Sequence, residues 1–187
     1  MKKGLSFILF AFLSTTIFAQ ATWNVDKAHS QVSFGIIHMG ISEVEGTFDE
    51  FDASIVSSEE DFSDGVFNVS INVASVDTEV EMRDNHLRTA DFFDVEKYPT
   101  MTFKSTKIEK VSENKYKVSG DLTFHGVTKP VTLDVWYRGS VDNKKGTVAG
   151  FQITGLLNRK DFNIANETPE IALSNEVKIK VDAEFKK

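Results

Sequence analysis

The sequence predicts an all-β fold, an antiparallel sheet arranged as a barrel or a sandwich with one short helical insert. Apolar and polar side chains alternate most clearly at residues 66–74, 117–124 and 177–185. Such alternation is typical of strands with one dry face and one wet face. Clusters of turn-forming residues separate these segments, and only the stretch after residue 78 has helical spacing.

The composition indicates a globular chain of ordinary size and excludes several other classes. Of 187 residues, 41% are apolar and 26% are charged, with 11 Gly, 3 Pro and no Cys. Collagen-like and disordered chains need more Gly and Pro or fewer apolar residues, and a disulfide-stapled mini-protein needs cysteines. The formal net charge of −7 opposes phosphate binding, so no nucleic-acid partner is expected.

The first residues have the pattern of a secretory signal peptide. Two lysines precede an apolar run at residues 5–18, and small residues follow it. We expect residues 1–19 to be the signal peptide, with cleavage possibly after residue 21, and residues 22–187 to form a single domain that is periplasmic or secreted. The run is shorter than the ~20 residues of a membrane span, so stable membrane insertion is not expected.

Weaker alternation adds further strands, for a total of eight to ten. These segments are 23–25, 31–39, 47–56, 101–105, 131–138 and 148–157. Turn residues at 57–65, 112–114 and 142–146 divide the strands. Since no linker or repeat divides the chain, the strands are expected to share one sheet system.

The helical insert is predicted from a capping box. The Thr78 hydroxyl and the Glu81 carboxylate have the spacing of this motif, and apolar residues then follow at helical spacing. We expect a helix over about 79–88, a further turn that carries two phenylalanines, and an end at Pro99, which cannot continue a helix.

The apolar face of each strand must be covered by a second sheet or by closure of the barrel. Eight or more strands slightly favour a barrel, whose interior is wide enough for one small ligand. Periodicity alone leaves both arrangements open. A transmembrane barrel is not expected, because charged residues cover the whole opposite face of the C-terminal strand, as Lys178 and Asp182 illustrate.

Three polar residues are candidates for anchoring a ligand head group. Arg83 and His86 lie within one helical turn beside Phe92 and Phe93, and His38 ends an early strand. A guanidinium and an imidazole could hold an anionic or carbonyl group. The alternative is that Arg83 ties the helix to neighbouring loops.

Catalytic and metal-binding motifs are weak. The G-x-S-x-G elbow of hydrolases is absent, and Ser next to His does not by itself make a triad. The four histidines at 29, 38, 86 and 125 include no pair at i, i+4, and the chain has no thiolate ligand. We therefore expect no catalytic residues, no metal and no cofactor beyond a bound lipid.

A series of short motifs runs along almost the whole chain after the leader: Asp26, His29–Ser30, Phe34, His38–Met39, Arg83–Asp84, His86–Leu87, Asp91–Asp94, Lys97–Pro99, Phe103–Thr106, Gly120–Thr123 and Gly126–Val131. Taken in this order, the motifs resemble the YceI-like family. The resemblance implies an extended, lipocalin-like antiparallel barrel with a long apolar tunnel, which holds an isoprenoid or acyl chain. It also implies an exported, lipid-binding protein that often forms homodimers.

The resulting functional prediction is non-catalytic binding, transport or sequestration of a long-chain isoprenoid or another lipid. The predicted apolar lining consists of Phe34, Ile36, Phe67, Val69, Ile71, Phe92, Phe93, Phe103, Leu122 and Phe124. Each of these residues could equally belong to a filled core, since a core and a tunnel produce the same alternation. The alternative function is an exported lipid-modifying hydrolase or isomerase that uses His38 or His86 as a base.

Overall fold

The computed structural model describes residues 20–187, and the predicted signal peptide lies outside the described residues. Eleven strands and one α-helix follow one another along the chain. The strands are β1 Ala21–Val25, β2 Gln31–His38, β3 Ser42–Phe48, β4 Phe51–Ser57, β5 Val66–Asn72, β6 Val76–Asp77, β7 Thr100–Ser112, β8 Lys115–Phe124, β9 Val127–Asn143, β10 Gly146–Asn158 and β11 Leu173–Lys186, with helix α1 at Glu81–Leu87 between β6 and β7.

The strands close into an antiparallel barrel with eight positions around its circumference, as predicted from the resemblance. Three positions hold two consecutive strands each, β1 with β2, β3 with β4, and β5 with β6. Strands β7 to β11 follow in sequence order. Pairing of β11 with both β1 and β2 closes the barrel. The sandwich alternative is therefore wrong.

Inward and outward residues alternate along the strands, which explains the sequence pattern. In β8, Tyr116, Val118, Leu122 and Phe124 are buried while their neighbours are more exposed. Gly120 takes the remaining inward position, because a Cβ there would come within 2.6 Å of the Phe103 ring. The apolar faces converge on one lumen along the barrel axis.

One end of the barrel is closed by Phe62, which the loop between β4 and β5 inserts into the lumen. Its side chain is 1% exposed. The ring makes edge contacts with Trp23, Tyr137 and Phe151 at centroid distances of 5.1, 5.1 and 5.0 Å. We call this arrangement the closed end.

Two aspartates hold the loop that carries Phe62. Lys110 donates to the Asp61 carboxylate at 2.7 Å. This hydrogen bond and those from Ser63 lower the pKa of Asp61 to about 2. Burial would raise the pKa of Asp64, but bonds from Ser57, Ser58 and nearby backbone N–H groups outweigh it and lower that pKa to about 2.

Near the opposite end, the sheet has a gap that α1 covers. β3 pairs with β6 only at Thr47 and Phe48, so residues 42–46 have β2 as their only strand partner. Among residues 20–187, the outer edge of β6 also has no strand neighbour. Two arginine side chains bind backbone carbonyls along and beside this edge instead. Arg88 donates to the carbonyls of Ala74 and Val76 at 2.8 and 2.7 Å, and Arg83 donates to the Thr78 carbonyl at 2.6 Å.

The segment after β10 is organised by Arg159, which is 3% exposed. All five of its N–H donors bind backbone carbonyls, so the buried guanidinium is fully satisfied. The acceptors are the carbonyls of Ile164, Ala165, Thr168, Leu173 and Ser174. Burial lowers the pKa of Arg159, and the charge of Glu170 partly opposes that shift.

Several predicted boundaries need correction. The predicted strand 47–56 is two strands with a bend between them, because the Asp49 and Glu50 N–H groups bond to Ser75 instead of continuing a ladder. The capping box is also wrong. The Thr78 hydroxyl contacts Asp84 and accepts from Arg83, so the helix begins at Glu81 without a side-chain cap.

Candidate functional site: the barrel lumen

Two apolar cavities occupy the lumen and adjoin each other. The deep cavity has a volume of about 130 Å³, and the mouth cavity, nearer to α1, about 270 Å³. Both are lined by Phe34, Phe48, Met101, Leu157 and Ile179. The same side chains face both spaces and form the constriction between them, and we call the two cavities together the tunnel.

The exposure of inward-facing residues shows that the lumen is not a filled core. Leu133, Ile153, Ile179 and Val181 point inward from the central strands, yet each keeps intermediate exposure. A close-packed interior would leave such residues without accessible surface. The tunnel walls are thus apolar surface that a ligand could cover.

The predicted lining residues all face this tunnel. The deep cavity is lined by Phe34, Phe67, Val69, Ile71, Phe103 and Leu122. The mouth cavity is lined by Phe34, Ile36, Phe92, Phe93 and Phe124. Their position is established, and their contact with a ligand stays a prediction.

A row of aromatic rings crosses the barrel near α1. Phe93, from the loop after α1, lies 6.1 Å from Phe48 and 5.4 Å from Phe124, and Phe124 lies 6.2 Å from Phe162. All four side chains are buried. These four rings cover the tunnel on the side of the β8–β9 turn.

The three predicted anchor residues lie together at the mouth cavity. His38, Arg83 and His86 all line it, although they come from β2 and α1. His38 is exposed at the end of β2, and the His86 side chain is 58% exposed. The polar groups therefore lie where the tunnel reaches solvent.

Arg83 has both a structural contact and unused donors. Its Nε and one Nη2 donor bind the Thr78 hydroxyl and carbonyl at 2.7 and 2.6 Å, which agrees with the alternative that it ties the helix to its neighbours. Among residues 20–187, the one ion pair formed by an arginine joins Arg138 and Asp182. Arg83 reaches the buried Asp84 only through Thr78, so part of its guanidinium can take an anion.

His38 and His86 are the candidate bases of the alternative catalytic function. His86 Nε2 lies 3.3 Å from Asp91 Oδ2, and its ring packs edge-on against Phe92. Within residues 20–187, no hydroxyl group hydrogen-bonds to the ring of His38 or His86. The geometry gives no support for a base that activates a serine.

One His-carboxylate cluster lies outside the lumen. Asp26, His29 and Glu184 approach one another beside β11, and the Asp26 carboxylate also contacts Lys186. Hydrogen bonds from Lys186 and His29 lower the pKa of Asp26 to about 2. Since a lysine and a histidine already bind the same carboxylate oxygen, this cluster closes the β1–β11 junction and has a structural role.

Comparison with known proteins decides the family. The model of the YceI-like domain matches residues 23–185. The chain belongs to the YceI-like family. Protein YceI of Escherichia coli strain UMN026 is 42% identical over 172 residues, covering 89% of this chain and 90% of the relative.

Solved structures of similar proteins share the fold. BcnA of Burkholderia cenocepacia has a TM-score of 0.76 with 30% identity, covering 86% of this chain and 98% of its own. A polyisoprenoid binding domain from Saccharophagus degradans has a TM-score of 0.65 with 18% identity, covering 88% and 97%. The second likeness concerns the fold alone.

Sequence reasoning missed residues of the tunnel and of the closed end. Ile179 lies on the apolar face of the clearest predicted strand, so its alternation was a usable signal. Phe62 had no such signal, because it lies in an acidic loop and becomes buried only through contacts between distant segments. The role of Arg159 could not be predicted from sequence either, since its five acceptors are backbone carbonyls, which any residue type can supply.

Proposed function

We propose that this protein binds the long apolar chain of an isoprenoid or acyl lipid in its lumen and carries or sequesters it without catalysis. The observation that carries the proposal is the tunnel itself, whose inward side chains stay accessible inside a closed barrel. The family and the fold likeness to a polyisoprenoid binding domain support a lipid ligand. Each buried methylene contributes ~0.8 kcal/mol, so affinity comes mainly from the chain.

The anchor residues give the bound lipid an orientation. A chain that enters past His38 and His86 places its end in the deep cavity, on the side of the closed end, and its head group near Arg83. An anionic head group is favoured, because Arg83 keeps free donors and has no carboxylate within ion-pair distance in residues 20–187.

The proposal includes an exported location and follows from the predicted leader. Among residues 20–187, no helix has the length and apolar character needed to cross a membrane.

A homodimer is part of the family expectation and is tested by light scattering on the purified chain. A mass of one chain under all conditions would remove it.

Native mass spectrometry tests the binding function directly. The protein purified from its own host is expected to carry a lipid that is released by solvent extraction, and the stripped protein is expected to take up a prenyl or acyl probe. Ligand-free protein that takes up neither probe would contradict the proposal. Turnover of a lipid ester that disappears in His86→Ala would favour the enzyme instead.

The anchor role of Arg83 has a matched control in Arg88. Both guanidinium groups bind edge carbonyls near β6, but only Arg83 lines the tunnel. Arg83→Ala is expected to weaken binding of a fatty acid more than binding of the alcohol with the same chain. Arg88→Ala is expected to leave that ratio unchanged, and equal effects of Arg83→Ala on both ligands would contradict the role.

A further inference from the structure

The barrel wall next to α1 is closed by side chains instead of a backbone ladder. Within residues 20–187, positions 42–46 of β3 have no strand on the side away from β2. The backbone N–H and C=O groups that face this side therefore lack a ladder partner. The Phe34 ring extends over Gly46, where an added Cβ would come within 2.5 Å of the ring.

A wide polar groove of about 1020 Å³ lies on the outer side of this wall. Its lining shares Phe34, Val44, Thr78 and Arg83 with the mouth cavity. Thus the tunnel and the groove are separated by only a few side chains. Arg83 is the one charged residue that faces both spaces within residues 20–187.

The groove is mostly polar, whereas the rim of the tunnel exposes several large apolar side chains. The rim, at the β2–β3 turn, α1 and the loop before β11, exposes Met39, Ile41, Met82 and Ile171 by 52%, 88%, 82% and 76%. A head group on this rim would lie among these apolar side chains, with His38 and His86 as its polar neighbours. The groove offers more hydrogen-bond partners, through its charged side chains and the free edge of β3.

Charges of both signs line the groove. Lys178 pairs with Glu43 at 2.9 Å, and Lys180 pairs with Asp182 at 3.2 Å. Glu45, Asp77 and Glu79 add negative charge. An anionic group is therefore favoured only beside Arg83, and the remaining groove suits uncharged polar groups.

We propose that the groove between β3 and α1 is the site of the lipid head group, which leaves the tunnel sideways past Arg83 instead of through the rim. The ligand class is an amphiphile with one apolar chain and a carboxylate or phosphate next to it. This inference rests on the proposed function, because it assigns the head-group position of the same ligand. Movement of the Phe34 and Arg83 side chains opens the passage at the cost of the two Arg83–Thr78 hydrogen bonds, and no hydrogen bonds between strands have to break there.

Fluorescence quenching tests the position of both ligand ends. Because the chain has no cysteine, Glu45→Cys and Ile171→Cys each give one attachment point for a bimane, in the groove and on the rim respectively. The probes are stearic acids with a nitroxide near the carboxylate or near the methyl end. A Trp136→Phe background leaves Trp23, beside Phe62, as the only tryptophan reporter at the closed end.

The carboxylate-end nitroxide is expected to remove most of the groove bimane fluorescence and little of the rim fluorescence. The methyl-end nitroxide is expected to quench Trp23 and leave both bimanes bright. If the methyl-end nitroxide quenches Trp23 but the carboxylate-end nitroxide quenches the rim bimane, the groove site is wrong and the proposed function stays intact. Quenching of no reporter by either probe would overturn both. Unchanged near-ultraviolet circular dichroism confirms that the labelled variants are folded.

Discussion

Ile179→Trp is the substitution that tests the tunnel most sharply. Ile179 points inward from β11 at the constriction shared by the deep and mouth cavities, and its side chain keeps partial exposure. Its neighbours across the ladders are Phe34 and Gly155, so one flanking position carries no side chain. An indole at this position is expected to enter the lumen and separate the two cavities.

The expected loss of affinity follows from the volume of the deep cavity. At about 24 cal/mol per Å³ of apolar space, a cavity of about 130 Å³ corresponds to about 3 kcal/mol. A long chain that no longer reaches this space should bind roughly a hundredfold more weakly. A short chain that fills only the mouth cavity should lose much less.

The assay is displacement of a fluorescent fatty acid by long-chain and short-chain ligands. The matched control is Leu156→Trp, which places the same indole on the outer face of β10, where Leu156 is 59% exposed. Overpacking typically costs 1–3 kcal/mol, so thermal denaturation of both variants accompanies the assay. Wild-type affinity for the long chain in folded Ile179→Trp would refute the tunnel.

Three further predictions concern the ends of the barrel. Phe62→Ala should lower the free energy of unfolding by about 3–5 kcal/mol in urea denaturation, since it empties the closed end. Phe62→Leu should lower it clearly less. Equal losses in the two variants would contradict the role of the Phe62 ring in filling the closed end. Arg159→Lys should speed amide exchange in residues 163–174, because a lysine cannot satisfy five carbonyls, and unchanged exchange would contradict that role. Asp64 has a folded pKa of about 2 against 3.8 unfolded, so its stabilisation of up to about 2 kcal/mol is present above pH 3.8 and is lost as the pH falls towards 2. Asp64→Asn should therefore flatten the stability curve in that range, and an unaltered curve would disprove the contribution.

The strand pattern was predictable because nearly every strand has one face towards the lumen and one towards water. Alternation at 117–124 and 177–185 matches β8 and β11. Closure into a barrel was less accessible, since it depends on pairing of β1 and β2 with β11 at the far end of the chain. Local periodicity contains no information about that contact.

The site was predicted in part for the same reason. Phe34 and Phe103 could be assigned to the dry face from alternation, and both line the tunnel. The absence of a cap at Thr78 was not predictable, because its hydroxyl binds Arg83 and Asp84, five and six residues further along. Such contacts depend on how α1 covers the gap beside β3, which no short motif encodes.

The dependence of affinity on chain length tests the central claim most directly. A tunnel that binds by burial predicts that each added methylene lowers the Kd of a saturated fatty acid about fourfold, or ~0.8 kcal/mol. The gain should stop once the chain reaches Phe62 at the closed end. A Kd that does not change with chain length, measured on stripped protein, would contradict the account.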